Sequence, residues 1–105
     1  MSQLTNLAFF RARRGQTEAL GAALAALVEP TRGEAGCLNY DLYQSLENAE
    51  IWFVYENWRS MQDLDSHMKS VHLRAFLTAA PTLVALVEGD IDLRRFTMIS
   101  TPATR

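Results

Sequence analysis

The two histidines of the chain, His67 and His72, lie five positions apart in the segment DSHMKSVHLRAF. Two metal ligands on one helical face are typically four residues apart, as in the H-E-x-x-H zinc motif. At a spacing of five, an unbroken helix rotates by about 140° between them, because it has about 3.6 residues per turn. The spacing therefore does not favour a metal pair, and it leaves a catalytic pair or two unrelated side chains.

Other motifs that would indicate a cofactor are absent from the sequence. There is no G-x-G-x-x-G or Walker pattern for a nucleotide or flavin, and no G-x-S-x-G elbow of a serine hydrolase. A zinc site would have to gather two histidines, Cys37 and a carboxylate from separate elements. We therefore predict that the protein uses no metal and no cofactor.

The composition, 49% hydrophobic and 21% charged, is that of an ordinary globular protein. A formal net charge of −2 gives no electrostatic reason to expect nucleic acid, and no apolar run is long enough to predict a membrane span. A single cysteine fits a reducing compartment, so we predict a cytoplasmic protein. The 105 residues predict one domain over 1–105, with a core over about 4–99 and a frayed tail over 100–105.

Hydrophobic periodicity and turn residues divide the chain into six elements. Thr17 is predicted to cap the first helix, and Pro30 to end or kink it. The elements are a strand over 4–13, a helix over 18–29, strands over 37–45 and 50–58, a helical region from Ser60, and a strand over 91–100. The apolar stripe of the first helix consists of Leu20, Leu24, Leu27 and Thr31.

The second helical region contains both histidines and two apolar stripes that point in roughly opposite directions. Ser60 and Asp63 form a capping-box pattern at its start. One straight helix cannot bury both stripes, so we predict a break near Lys69 and Ser70, with Ser70 capping a second helix and His72 in its first turn. The stripes are Leu64, His67, Met68 and Val71, and then Leu73, Phe76, Leu77 and Ala80.

The element order β-α-β-β-α-β predicts an α+β, ferredoxin-like fold with an antiparallel sheet. The strands at 4–13 and 50–58 are apolar on both faces, which is typical of a sheet that is covered on both sides. The helices can cover one face, and a second subunit is the simplest cover for the other. We therefore predict a homodimer.

Three segments, RGEAGCLNY (32–40), ENWRS (56–60) and HMKSVHLRAF (67–76), resemble the antibiotic biosynthesis monooxygenase family. The resemblance extends from Leu4 to about Ile99. It implies a dimeric α/β barrel with a pocket between sheet and helices in each subunit. It also implies oxygenation of a small aromatic quinol or phenol with O2, in which the deprotonated substrate is the electron donor and no metal, flavin or haem takes part.

Two departures from the family pattern argue against two activities that occur in the family. The branch that oxidises anthrones has a functional Asn at the position of Val54, so the anthrone reaction is not expected here. The haem-degrading branch has its iron-ligating His at the position of Leu77 and a Trp at that of His67, so haem degradation is not expected either. Two alternatives stay open: a small-molecule isomerase and a ligand-binding dimer without turnover.

The candidate site residues each have a structural and a functional interpretation. His67 is either a core residue or the base of the pocket, and its reference pKa of about 6.5 suits a base. Glu56 either orients His67 or faces solvent at the sheet edge. We predict His67 and Glu56 as catalytic residues. The predicted substrate-pocket residues are Trp58, Tyr40, Val54, Phe76 and His72, and aromatic or core packing could also explain Trp58, Tyr40 and Phe76.

For His72 a structural role, holding the helix break through a backbone contact, is the favoured interpretation. Cys37 follows a loop glycine and is not expected to act as a nucleophile.

Overall fold

The computed structural model describes residues 3–78 and 86–101. Within them the chain forms eight elements, because each predicted helical region is divided in two. In chain order these are β1 (Leu4–Arg11), α1 (Thr17–Ala25), α2 (Val28–Arg32), β2 (Cys37–Gln44), β3 (Ile51–Trp58), α3 (Met61–Met68), α4 (Val71–Thr78) and β4 (Asp92–Thr97). Ala80 and the tail residues 102–105 lie outside the described residues.

The four strands form one antiparallel sheet in the order β2-β3-β1-β4. This order and the chain order of the elements confirm the predicted ferredoxin-like α+β fold. The register places Asn6 opposite Glu56, and Glu56 opposite Tyr40, on the same face of the sheet. The same face carries the buried residues Ala8 and Val54, so it is the inner face, covered by the helices.

The predicted apolar stripe of the first helical region is confirmed, since its four members are all buried. The prediction that Thr17 caps this helix is wrong. Thr17 lies inside α1, and its hydroxyl donates to the carbonyl of Ala49 and accepts from the indole N–H of Trp52, at 2.5 and 2.8 Å. Gly21 lies under the same indole, where a Cβ would be 2.5 Å from the ring. These contacts attach α1 to β3.

The helix break that Pro30 causes lies about one turn before the proline itself. Pro30 lies in the first turn of α2, where proline is tolerated, and the break between α1 and α2 falls at Ala26 and Leu27. The reason is that Pro30 has no N–H to donate to the carbonyl of Ala26, and its ring would clash with that carbonyl in a continuous helix. The kink is therefore confirmed and its position is corrected.

The break in the second helical region is confirmed. The Ser60 hydroxyl accepts a hydrogen bond from the backbone N–H of Asp63 at 3.2 Å, and the Ser70 hydroxyl accepts one from that of Leu73 at 3.3 Å. The prediction that Val71 belongs to the buried stripe of α3 is wrong, because Val71 is 85% exposed. The helix restarts at Val71, so its direction no longer follows the periodicity of α3.

The outer face of the sheet carries a ladder of stacked aromatic rings. Phe53 stacks on Phe9 with ring centroids 5.4 Å apart and on Tyr43 with centroids 4.9 Å apart. The Arg94 guanidinium lies over the Phe9 ring. Phe9 and Phe53 are only half buried and Tyr43 is exposed, because the helices pack on the other face.

Among the described residues, no helix is long and apolar enough to cross a membrane.

Candidate active site

One carboxylate oxygen joins the two histidines. Oε2 of Glu34 lies 2.9 Å from Nδ1 of His67 and 2.5 Å from Nε2 of His72. Because an ionised carboxylate only accepts hydrogen bonds, we assign a hydrogen to both of these ring nitrogens. In its neutral form His67 is therefore the Nδ1–H tautomer, and its Nε2 keeps the lone pair of a base.

Three elements bring these side chains together. Glu34 lies in the turn between α2 and β2, His67 in the last turn of α3 and His72 in the first turn of α4. Gly36, with a φ of 83°, allows this turn to pack against the start of α3, since a Cβ there would overlap the Asp63 side chain. The carbonyl of Gly36 also accepts the N–H of Arg59 at 2.8 Å, which fixes the turn against the end of β3.

The imidazole of His67 is buried and lies next to two aromatic rings. The His67 side chain is 2% exposed, compared with 16% for Glu34 and 24% for His72. The ring centroid lies 4.7 Å from that of Trp58 and 5.6 Å from that of Tyr40. Burial falls from His67 through Glu34 to His72, so the hydrogen-bonded series leads from the interior towards solvent.

Two predictions about the partners of these residues are corrected. Glu56 does not orient His67, because it accepts the indole N–H of Trp58 at 2.7 Å and a hydrogen bond from Asn6. His72 holds the helix break through the Glu34 side chain and not through a backbone contact. The two histidines do belong to different helices, as predicted, but Glu34 makes them one unit.

A cavity of about 70 Å³ separates the inner face of the sheet from the helices. Its polar lining comes from Asn6, Tyr40, Glu56 and His67, and the rest is apolar, including Phe76. Of the predicted site residues, the structure thus places His67, Glu56, Tyr40 and Phe76 around one space. The structure places the other three outside this lining, and these are Trp58, Val54 and His72.

Each of those three side chains is occupied elsewhere. Val54 is fully buried and lies between Ala8 and Leu42 of the neighbouring strands. Trp58 packs against His67 and donates its N–H to Glu56. Trp58 and His72 therefore support residues of the cavity and do not form its wall.

Sequence reasoning missed two polar residues of the site, Glu34 and Asn6. Glu34 lies in a turn, where no periodicity marks the direction of a side chain. Asn6 gave a usable signal, because it is the polar residue at the inner-face positions of β1, between Leu4 and Ala8. A buried amide among apolar neighbours on a strand is typical of a specific hydrogen-bonding role.

Burial raises the pKa of three groups in this region, the cavity residues Glu56 and Tyr40 and also Cys37. The pKa of Glu56 is raised, chiefly because burial disfavours the charged carboxylate, although the hydrogen bonds from Trp58 and Asn6 and the nearby His67 oppose this. The pKa of the Cys37 thiol is raised to about 11, by burial and then by the Glu34 charge. A thiol with this pKa stays protonated at neutral pH, which supports the prediction that Cys37 is not a nucleophile.

Glu56→Gln should change how stability depends on pH. A group whose pKa is raised on folding holds its proton longer in the native state, so its contribution is lost as pH rises from the ordinary value of 4.5 towards the folded pKa. Relative to the variant, the wild-type free energy of unfolding should fall in that window by at most about 1.4 kcal/mol per pH unit. Urea unfolding of both proteins across this window measures it, and parallel stability curves would contradict it.

Glu34, His67 and His72 also have the donor atoms of a metal site, with one ligand atom each and all three within 4.8 Å of one another. Two nitrogens and one carboxylate oxygen suit zinc. However, ligands of one tetrahedral zinc ion lie about 3.3 Å apart, whereas the nitrogen–oxygen separations here are 2.9 and 2.5 Å. The present spacing is that of a carboxylate that accepts two N–H bonds, and an ion would have to open it.

Residues 4–79 match the family model described as antibiotic biosynthesis monooxygenase. The chain belongs to this family. A Mycobacterium tuberculosis protein named "Putative monooxygenase Rv0793" is 41% identical over 71 residues, which are 68% of this chain and 69% of that protein. Membership and this relative support a monooxygenase-like role.

Solved structures of this fold agree closely. That of PA3566 from Pseudomonas aeruginosa has a TM-score of 0.88 at 32% identity, over 95% of this chain and 97% of that one. The structure of Rv0793 has a TM-score of 0.84 at 29% identity, over 97% of this chain and 100% of that one. The cavity and the Glu34–His67 pair therefore lie within an established family fold.

Proposed function

We propose that the protein is a cofactor-independent monooxygenase that oxidises a small aromatic quinol or phenol with O2. The observation that carries the proposal is a buried imidazole in a largely apolar cavity, with Nδ1 bound by Glu34 and Nε2 left as a base. This is the arrangement that general-base catalysis needs, because the carboxylate fixes the tautomer and stabilises the imidazolium that forms.

In this mechanism His67 Nε2 accepts the hydroxyl proton of the quinol. The resulting quinolate transfers electrons to O2, a carbon–oxygen bond forms, and the oxygen–oxygen bond then breaks. For hydroquinone the products are hydroxybenzoquinone and water. The quinol supplies all four electrons that reduce O2, one oxygen atom enters the product and the other leaves as water, so no external reductant is required.

The size of the cavity restricts the substrate and requires movement. A cavity of about 150 Å³ holds a benzene ring, and the present volume is about 70 Å³. Met68 and Phe76 are half-buried members of the lining, and they are the side chains that we expect to shift. A single-ring quinol is therefore the first substrate to test.

The test is oxygen uptake by chelator-treated protein with hydroquinone, after subtraction of the protein-free rate. The proposal predicts protein-dependent uptake that a strong chelator leaves unchanged. Uptake that requires added iron or flavin would contradict it. If no oxygen is consumed, proton exchange of small carbonyl compounds in deuterated water separates the isomerase alternative from a ligand-binding dimer.

We further propose that the protein is a cytoplasmic homodimer of single-domain chains, paired through the outer face of the sheet. The Phe9, Phe53 and Tyr43 ladder supports this, because an aromatic surface that the chain's own helices leave uncovered is typical of an interface. A single cysteine supports the reducing compartment.

Sedimentation equilibrium should give twice the chain mass of 11.8 kDa, or a multiple of that dimer. Phe53→Arg should lower the mass to that of one chain, because it places a charge in the ladder. Leu46→Arg is the matched control, since Leu46 is 99% exposed in the β2–β3 connection, and it should leave the mass unchanged. A well-folded wild-type monomer would exclude this interface.

A further inference from the structure

Asn6 has an unusual hydrogen-bonding state for a buried residue. It is 3% exposed, it lines the cavity, and no donor among the described residues reaches its Oδ1. Buried polar atoms in folded proteins nearly always have a partner, and an unpaired one is unfavourable. The position of Asn6 therefore needs an explanation that the packing of the chain does not supply.

The orientation of the amide follows from its neighbour. Asn6 lies directly opposite Glu56 in the β1–β3 register and donates a hydrogen bond to the Glu56 carboxyl group, which the Trp58 indole also contacts. The amide NH2 group is thus directed at Glu56, and the amide oxygen is the atom that has no partner among the described residues. The carbonyl end of the amide is the part left to contact a ligand in the cavity.

We infer that Asn6 Oδ1 accepts a hydrogen bond from a hydroxyl group of the ligand. Only a donor satisfies this oxygen, because a carbonyl oxygen has lone pairs and no hydrogen, and a hydroxyl group is the donor that a quinol offers. This inference rests on the proposed function, in which His67 Nε2 accepts the other hydroxyl. The cavity then selects an aromatic ring with two hydroxyl groups over one whose second hydroxyl is methylated.

The experiment is anaerobic isothermal titration calorimetry with hydroquinone and with 4-methoxyphenol, which has one hydroxyl and one methoxy group. Absence of oxygen prevents turnover, so binding is measured alone. Wild-type protein should bind hydroquinone about tenfold more tightly, since 4-methoxyphenol leaves the buried acceptor unpaired. Asn6→Val should lose this preference and bind the two compounds with about equal affinity.

Asn39→Val is the matched control, because Asn39 lies on the outer face of the same sheet and its amide contacts Asp41 and the Tyr55 carbonyl. It should keep the preference. Asn6→Thr, which retains an oxygen acceptor on a β-branched side chain, should keep part of it and serves if the valine variant fails to fold. An equal preference in wild type and Asn6→Val, or wild type that does not bind hydroquinone, would overturn the inference.

The outcomes distinguish this inference from the proposed function. If the preference depends on Asn6 but no oxygen is consumed in air, the monooxygenase proposal fails and the hydroxyl contact stands. If oxygen is consumed and the preference does not depend on Asn6, the function stands and the contact fails.

Discussion

Replacing His67 with phenylalanine should lower the turnover of hydroquinone by about 10²–10⁴-fold while the protein stays folded. The variant keeps an aromatic ring between Trp58 and Tyr40 and removes the nitrogens that titrate. Glu34 loses one hydrogen bond but keeps His72, and it is partly solvated, so stability should fall by only about 1 kcal/mol. Oxygen uptake and urea unfolding measure the two effects.

His72→Phe is the control for this substitution. It also removes one imidazole from Glu34, but His72 lies outside the cavity lining and is more exposed. It should therefore reduce turnover less than His67→Phe does. Turnover near the wild-type value in both variants would refute the role of His67 as base.

Glu34→Gln should lower turnover by up to about 10⁴-fold, the effect of replacing the carboxylate that orients a general-base histidine with its amide. A glutamine amide can present N–H to His67 Nδ1, which favours the opposite tautomer and places the hydrogen on Nε2. It also fails to stabilise the imidazolium. We expect the loss in kcat, with a smaller change in KM, because the effect develops as the proton is transferred.

A surface carboxylate provides the control. Glu29→Gln removes a charge from α2, where the Glu29 side chain is 87% exposed, and it should leave kcat unchanged. If Glu34 served only to hold the fold, Glu34→Gln would lower stability without changing the pH profile of kcat. A wild-type kcat and pH profile in Glu34→Gln would contradict the proposed orientation of His67.

The break between α3 and α4 could be predicted from the sequence because two local signals agree. Opposed apolar stripes require a change of direction, and Ser70 supplies a cap at the same place. The pairing of the histidines could not be predicted in this way. It depends on Glu34, which is distant in sequence, and on a turn whose path is set by packing against α3.

The strands illustrate a second limit. Parity along β1 and β3 predicted which residues share a face, but not which face the helices cover; the register then placed Asn6, Glu56 and Tyr40 in one row. Parity does not say which inward side chains reach a cavity. Trp58 and Val54 share that face, yet neighbouring side chains enclose them, so they support the site without lining it.

Turnover under oxygen-18 gas tests the proposed chemistry most directly. Chelator-treated wild-type protein is supplied with hydroquinone, and the extracted product is analysed by mass spectrometry against a protein-free control. We expect wild-type protein to form hydroxybenzoquinone that contains one oxygen-18 atom from the gas, and His67→Phe to form much less of this labelled product. Unlabelled benzoquinone with hydrogen peroxide, or an added oxygen that comes from water, would contradict it.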